Sequence, residues 1–199
     1  MRTKGTAHAD TKQRILQVAR KIVIKDGHAK LSLRGVAREL GVAAPTLYEY
    51  FDSKQAIVDT IANEIASSLR LALLRAAESP HDPRHALAAI GAEYVAWARK
   101  HPQDFMLLFA RLPSKRRSLS TPAPPTSPYQ VVLAAVGAAA AAGIVENGRE
   151  NIEHTAYALW ALAHGMAMLQ LTHLAGFDAD FGQVDRAAFT ALTRGYSPD

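Results

Sequence analysis

Between Ala43 and Lys54 the chain gathers polar tips suited to phosphate and base-edge contacts. Thr46, Tyr48 and Tyr50 supply hydroxyls, and Lys54 supplies a cation. Ala43, Ala44 and Pro45 stand just before them, and small or ring-closed residues let the start of a helix approach another surface closely. A second group is aromatic. Tyr157, Trp160, His164, Met168 and Leu171 recur every three or four residues and line one stripe of a helix. A histidine within an apolar stripe needs a hydrogen-bonding partner or a ligand. Tyr94, Trp97, Phe105, Met106 and Phe109 come from two preceding helical stretches. With Trp160, His164 and Met168 they are expected to line a mostly apolar cavity with a few polar tips, the usual make-up of a small-molecule site. A ligand there is expected to displace or lock the stripe Ile61, Ile65 and Leu69.

Other candidate chemistry is weaker. His81 and His85 are four apart with Asp82 beside them, a spacing open to a metal, but no third ligand is evident. Asp82 and Pro83 read instead as the start of a helix, so no metal is expected. The chain has no cysteine, which removes disulfides, thiolate metal sites and cysteine nucleophiles. There is no phosphate loop and no nucleophile with a paired base, so the chain is not expected to be an enzyme or to carry a cofactor. Thr155 to Phe177 is 23 residues without a formal charge, long enough to cross a bilayer. Its histidines, Gln170, Thr172 and many alanines, without a polybasic flank, favour a buried interface helix and no membrane partner.

Composition frames these sites. With 199 residues and 49% hydrophobic content the chain can bury a real core. The net charge of +5 is uneven: residues 1–54 hold 11 Lys+Arg against 5 Asp+Glu, and the remainder holds 12 against 13. A basic N-terminal quarter on a near-neutral body is the footprint of a polyanion-binding surface, and nucleic acid is the commonest such partner. The polar, basic N-terminus has no apolar signal region, and a cytoplasmic location is expected.

Helical periodicity runs nearly throughout, and the fold class is all-α with about nine to ten helices. The first helix is expected over Thr11 to Lys25, with Gly27 past its end. Ser32 caps a short helix closed by Gly41, and a third starts at Ala44 with Pro45 in its first turn and Leu47 and Phe51 as its inward pair. Val42 is expected to pack between the two. Asp52 or Ser53 caps a fourth helix ending before Pro80. Further helices are expected from Pro83 to about Lys100, from Pro102, from Pro128 to Gly143, from Ile152 to Ala175, and from Gln183 to Arg194. Pro113 to Pro128 is Pro/Ser/Thr-rich and basic, and reads as a flexible loop.

Two short helices joined through "ELGVAA" make a helix-turn-helix. The second helix of such a pair lies in the DNA major groove and the first crosses the backbone. Ser32, Arg34, Ala43, Ala44, Pro45, Thr46, Tyr48, Tyr50 and Lys54 are the expected DNA-binding residues. The run "LSLRGVARELGVAAPTLYEYFDSKQAIV" resembles the N-terminal DNA-binding domain of the TetR family of bacterial transcriptional regulators, over about residues 10 to 60. Two positions depart from the family pattern: Ala43 replaces the usual capping serine, and Tyr50 stands where histidine is common. "WALAHGMAM", Trp160 to Met168, is similar to the Trp-His-Gly signature of one TetR C-terminal domain type. That resemblance implies a helical ligand-binding and dimerisation unit with a four-helix interface. The Ala-rich "VVLAAVGAAAAAG" supports it independently, because a helix apolar all round must be buried.

The expectation is therefore residues 1–55 as a basic arm with the helix-turn-helix domain and 56–199 as an effector-binding and dimerisation domain. The protein would be a homodimeric regulator, a repressor, that binds a palindromic double-stranded DNA operator and is released by a small apolar effector. The alternative is an architectural DNA-binding protein without an effector.

Overall fold

The computed structural model describes residues 4–78, 82–109 and 124–195, and these are all helical apart from turns. Nine α-helices are present among them: α1 Lys4–Asp26, α2 Leu33–Leu40, α3 Ala44–Tyr48, α4 Lys54–Glu78, α5 Pro83–Lys100, α6 Pro102–Phe109, α7 Pro128–Ala141, α8 Arg149–Leu171 and α9 Phe181–Gly195. A single 3-10 turn, His28–Lys30, separates α1 from α2. His81 and residues 113–123 of the expected loop lie outside the described residues.

The local chemistry explains most boundaries. Ser32 Oγ accepts from the Gly35 amide at 3.0 Å and opens α2. Ser53, rather than Asp52, caps α4, its Oγ accepting from the Ala56 amide at 3.1 Å. Asp82 accepts from the Arg84 amide ahead of α5, and Ser127 from the Tyr129 amide ahead of α7, each followed by an N1 proline.

Several boundaries differ from the sequence expectation, among them the end of α7, at Ala141 and not Gly143, and the start of α8, at Arg149 and not Ile152. α1 begins at Lys4, not Thr11, and Gln13 Nε2 donates to Glu64 Oε1 of α4 at 3.2 Å. α8 ends at Leu171, because Thr172 turns its hydroxyl back to the Met168 carbonyl and the Leu174 amide closes onto the Leu169 carbonyl at 2.8 Å. α9 begins at Phe181, where Asp180 Oδ1 accepts from the Gln183 amide at 3.1 Å.

Two compact units form. Of the described residues, 4–65 and 106–109 make the first, and 66–78, 82–105 and 124–195 the second. In the first, α1 packs on the 3-10 turn and on α2, and α2 on α3. Ile15, Ala19, Val36, Leu47, Ile57 and Ile61 are its buried centre. In the second, α5 packs against α7, α8 and α9, and α7 lies on α8. Tyr94, Val95, Ala98, Val136, Ala156 and Phe189 are buried there. No helix among the described residues is long and apolar enough to cross a membrane.

Candidate functional site

The joint between α2 and α3 is set by Gly41, whose φ of 70° is open to glycine and strained for other residues. The Val42 amide donates to the Ala37 carbonyl at 3.0 Å and the Gly41 amide to the Arg38 carbonyl at 3.2 Å, a Schellman closure. Val42 is 41% exposed, so it does not pack between the helices as the sequence suggested. Val36, Leu47 and Phe51 are the side chains buried around this segment instead. Phe51 also lies beyond the end of α3, and its amide N–H donates to the Leu47 carbonyl at 2.9 Å.

Burying Leu47 leaves the other side of α3 open. Tyr48 is 56% exposed, Ala43 and Pro45 are exposed, and Ala44 and Thr46 are half-buried. Ala43 gives no side-chain cap; the Thr46 amide donates to its backbone carbonyl at 3.0 Å. Arg34 and Lys54 are exposed, and Tyr50 is half-buried beneath His8 of α1, with ring centroids 4.4 Å apart. Ser32 is exposed, with its oxygen engaged in capping α2.

The second unit holds an aromatic cluster around a hydrogen-bonded pair. Tyr94 on α5 and His164 on α8 join through the hydroxyl and Nδ1 at 3.0 Å. Trp160 stands edge-on to Tyr94 at 4.8 Å between centroids, and Phe105 lies 5.8 Å from Tyr94 and 5.4 Å from His164. Burial pushes the Tyr94 hydroxyl up and holds the His164 imidazole below the ordinary histidine value, so both are uncharged at neutral pH. A cavity of about 10 Å³, room for one water molecule, lies between α5, α7 and α8. Leu87, Ile90, Gly91, Val132, Leu159 and Ala163 line it with Tyr94 and Trp160.

Of the residues expected to line a ligand site, Tyr94, Phe105, Trp160 and His164 come together. Trp97 is buried against His101 at 4.9 Å, and Met168 is half-buried on α8. Met106 and Phe109 fall in the first unit. Tyr129, 5.5 Å from Trp160, was missed, although its place one residue into α7, after the Ser127 cap, fixes its direction. Burial pushes its hydroxyl up, helped by the charge of Glu153 and by Tyr157. Asp82 pairs with His85 at 3.8 Å, and no group of three metal-ligating side chains occurs among the described residues.

Residues 15–61 match the family profile described as "Bacterial regulatory proteins, tetR family", and residues 87–195 match "Tetracyclin repressor-like, C-terminal domain". The chain belongs to the TetR family. The family is one of bacterial regulatory proteins. The HTH-type transcriptional regulator EthR of Mycobacterium tuberculosis is 31% identical over 81 residues, 41% of this chain and 38% of that protein. The HTH-type transcriptional repressor DrrR1 of Streptomyces coeruleorubidus is 30% identical over 105 residues, 50% of this chain and 36% of that protein. The chain thus spans less than two fifths of the length of either relative. A protein of unknown function from Rhodococcus sp. RHA1 shares the TetR-like fold at a TM-score of 0.75 and 28% identity, over 94% of this chain and 95% of that one.

Proposed function

We propose that this TetR-family protein is a cytoplasmic, homodimeric repressor that binds a palindromic operator and is released by a small, uncharged, largely apolar effector. The observation that carries the DNA reading is the Schellman-closed helix pair, which buries Leu47 and leaves Pro45, Tyr48 and Lys54 in the open beside a basic segment. Ser32, Arg34, Ala43, Ala44, Thr46 and Tyr50 complete the proposed contact set, and residues 1–55 the proposed DNA-binding domain.

Residues 56–199 would bind the effector and a second copy. The neutral Tyr94–His164 pair, with Phe105 and Trp160 around it, suits an uncharged ligand. The cavity is too small for one as it stands, so ligand entry would require Trp160 or its neighbours to move. Support for the dimer comes from α7 and α8. α7 leaves Ala134, Ala138 and Ala141 exposed, although its sequence is apolar all round. α8 leaves Tyr157, Ala161, Gly165 and Leu169 exposed at four-residue intervals, with Tyr157 at 61% and Leu169 at 49%. Small residues on such faces permit close helix approach, and two apolar faces on one unit suit a four-helix contact with a second copy.

Selection from a pool of randomised duplexes tests this reading. The expected product is a two-fold symmetric site whose halves lie ~34–36 Å apart. Ala138→Glu is expected to give monomers and to lose the paired half-sites, since Ala138 is exposed. Ala139 is fully buried within the protomer, so a charge there would test folding instead. An asymmetric product, or an unchanged dimer in sedimentation of Ala138→Glu, contradicts the proposal.

A further inference from the structure

His8 of α1 is exposed, and its ring lies nearly flat on Tyr50, with centroids 4.4 Å apart and planes inclined by 22°. Tyr50 sits in the link between α3 and α4, two residues after the exposed Tyr48 and four before Lys54. One turn further along α1, on the same face, Lys12 Nζ lies 5.4 Å from the centroid of the Phe51 ring. α1 therefore lays an imidazole and an ammonium group along the segment that leaves the second helix of the DNA-reading pair. The hydrophobic core does not require this arrangement, because His8 and Lys12 are both exposed. The stack orients the imidazole without removing it from water.

We propose that His8, oriented by Tyr50, is a contact to the DNA phosphate backbone, and that duplex binding strengthens when His8 takes up a proton. This rests on the reading of α2 and α3 as the DNA-binding pair. The ionisable groups on the segments around the stack are Asp10 and Lys12 on α1, Glu49, Tyr50 and Asp52 in the link, and Lys54 at the start of α4. Among these side-chain types and histidine, only the imidazole changes charge between pH 5 and 8. Protonation adds attraction to the face of Tyr50 and turns the ring into a charge-assisted donor to phosphate. By linkage, a phosphate that favours the imidazolium is bound more tightly by it.

The test uses the full chain and a fluorescent mixed-sequence duplex of about 30 base pairs at about 0.1 M salt, titrated from about pH 8 to about pH 5.5. His8→Ala subtracts the contribution of every other histidine. Wild-type protein is expected to gain about five- to tenfold more affinity across this range than His8→Ala, the size of one phosphate contact at that salt. His8→Lys is expected to bind tightly at both ends, with no pH dependence beyond that of His8→Ala. Tyr50→Phe, which loses the hydroxyl and the affinity it supplies, is expected to keep the wild-type change of affinity with pH, and Tyr50→Ala to lose it. His8→Gln, with helix content checked by circular dichroism at both pH values, guards against a folding artefact. Identical pH profiles for wild type and His8→Ala overturn the proposal, and would mean that the stack only orders α1. Wild-type protein that binds no duplex at either pH would instead sink the DNA-binding reading itself.

Discussion

Asp185 is 3% exposed on α9, and its Oδ1 accepts from Gln170 Nε2 of α8 at 2.8 Å. Asp185 Oδ2 and Gln170 Oε1 are both buried without a hydrogen-bond partner among the described residues. Burial pushes the carboxyl above the ordinary range, against the lowering effect of the Gln170 bond and of the Arg99 and Arg186 charges. The folded state therefore holds this proton more tightly than the unfolded chain. Its contribution to stability is fully present below the unfolded carboxyl value and is lost as pH rises through the folded one. Asp185→Asn removes the buried charge and offers Gln170 Oε1 an N–H donor. The variant is expected to melt a few degrees above wild type at about pH 7, with the gap closing toward about pH 4. A lower melting temperature for the variant at both values would show that the carboxylate is better satisfied than its geometry indicates. This pair could not be read in the sequence, where a lone aspartate on an amphipathic helix is indistinguishable from a solvated one. His164 was legible as a residue needing a partner, because its apolar stripe has few alternatives. The identity of the partner, Tyr94, lies 70 positions away and depends on packing.

At the scale of the element, the close approach of α5 and α9 is decided by Gly91. A Cβ added there would lie 2.4 Å from Phe189 Cε1, and Phe189 is fully buried. Alanine gains about 1 kcal/mol of helix propensity over glycine. The forced displacement of a buried ring costs about 1–3 kcal/mol, occasionally more. Gly91→Ala is therefore expected to lower stability by about 1 kcal/mol net, read as a fall in the urea midpoint at constant slope. A second change, Phe189→Leu, should recover part of that loss if the clash is its cause. A rise in the midpoint for Gly91→Ala alone would mean that the two helices sit further apart. Element positions were largely readable, since Ser32, Ser53, Asp82 and Ser127 each make the cap their residue type allows. Of the ends that moved, that of α8 follows a competing bond, Thr172 turning back to the Met168 carbonyl, and that of α9 a local cap from Asp180. Periodicity located the aromatic faces but not the unit each joins, which is why Met106 and Phe109 separate from Phe105, the residue just before them.

For the whole molecule, the uneven charge and the family match bear on the same conclusion from different directions. On the proposed reading, the basic excess of residues 1–54 would raise affinity for any duplex, while α3 would present the side chains that distinguish one sequence from another. α4 starts at Lys54, immediately after the link that holds Tyr50, and runs without a break to Glu78. If an effector and an operator bias one two-state equilibrium, their coupling is reciprocal: a ligand that weakens DNA binding tenfold must bind the DNA complex tenfold more weakly, about 1.4 kcal/mol. That relation presupposes that α3 reads DNA, which is the central claim. Its most direct measurement is the affinity of the full chain and of Thr46→Ala, Tyr48→Ala and Lys54→Ala for the selected symmetric duplex and for a mixed-sequence duplex, across a salt series. Tyr48→Ala and Thr46→Ala are expected to weaken binding to the selected duplex more than to the mixed one, by roughly 1–3 kcal/mol where a base contact is lost. Lys54→Ala is expected to weaken both alike and to reduce the salt slope by about one per contact. Wild-type affinity for both duplexes in all three variants, each folded as wild type, would contradict the assignment of α3 as the recognition helix.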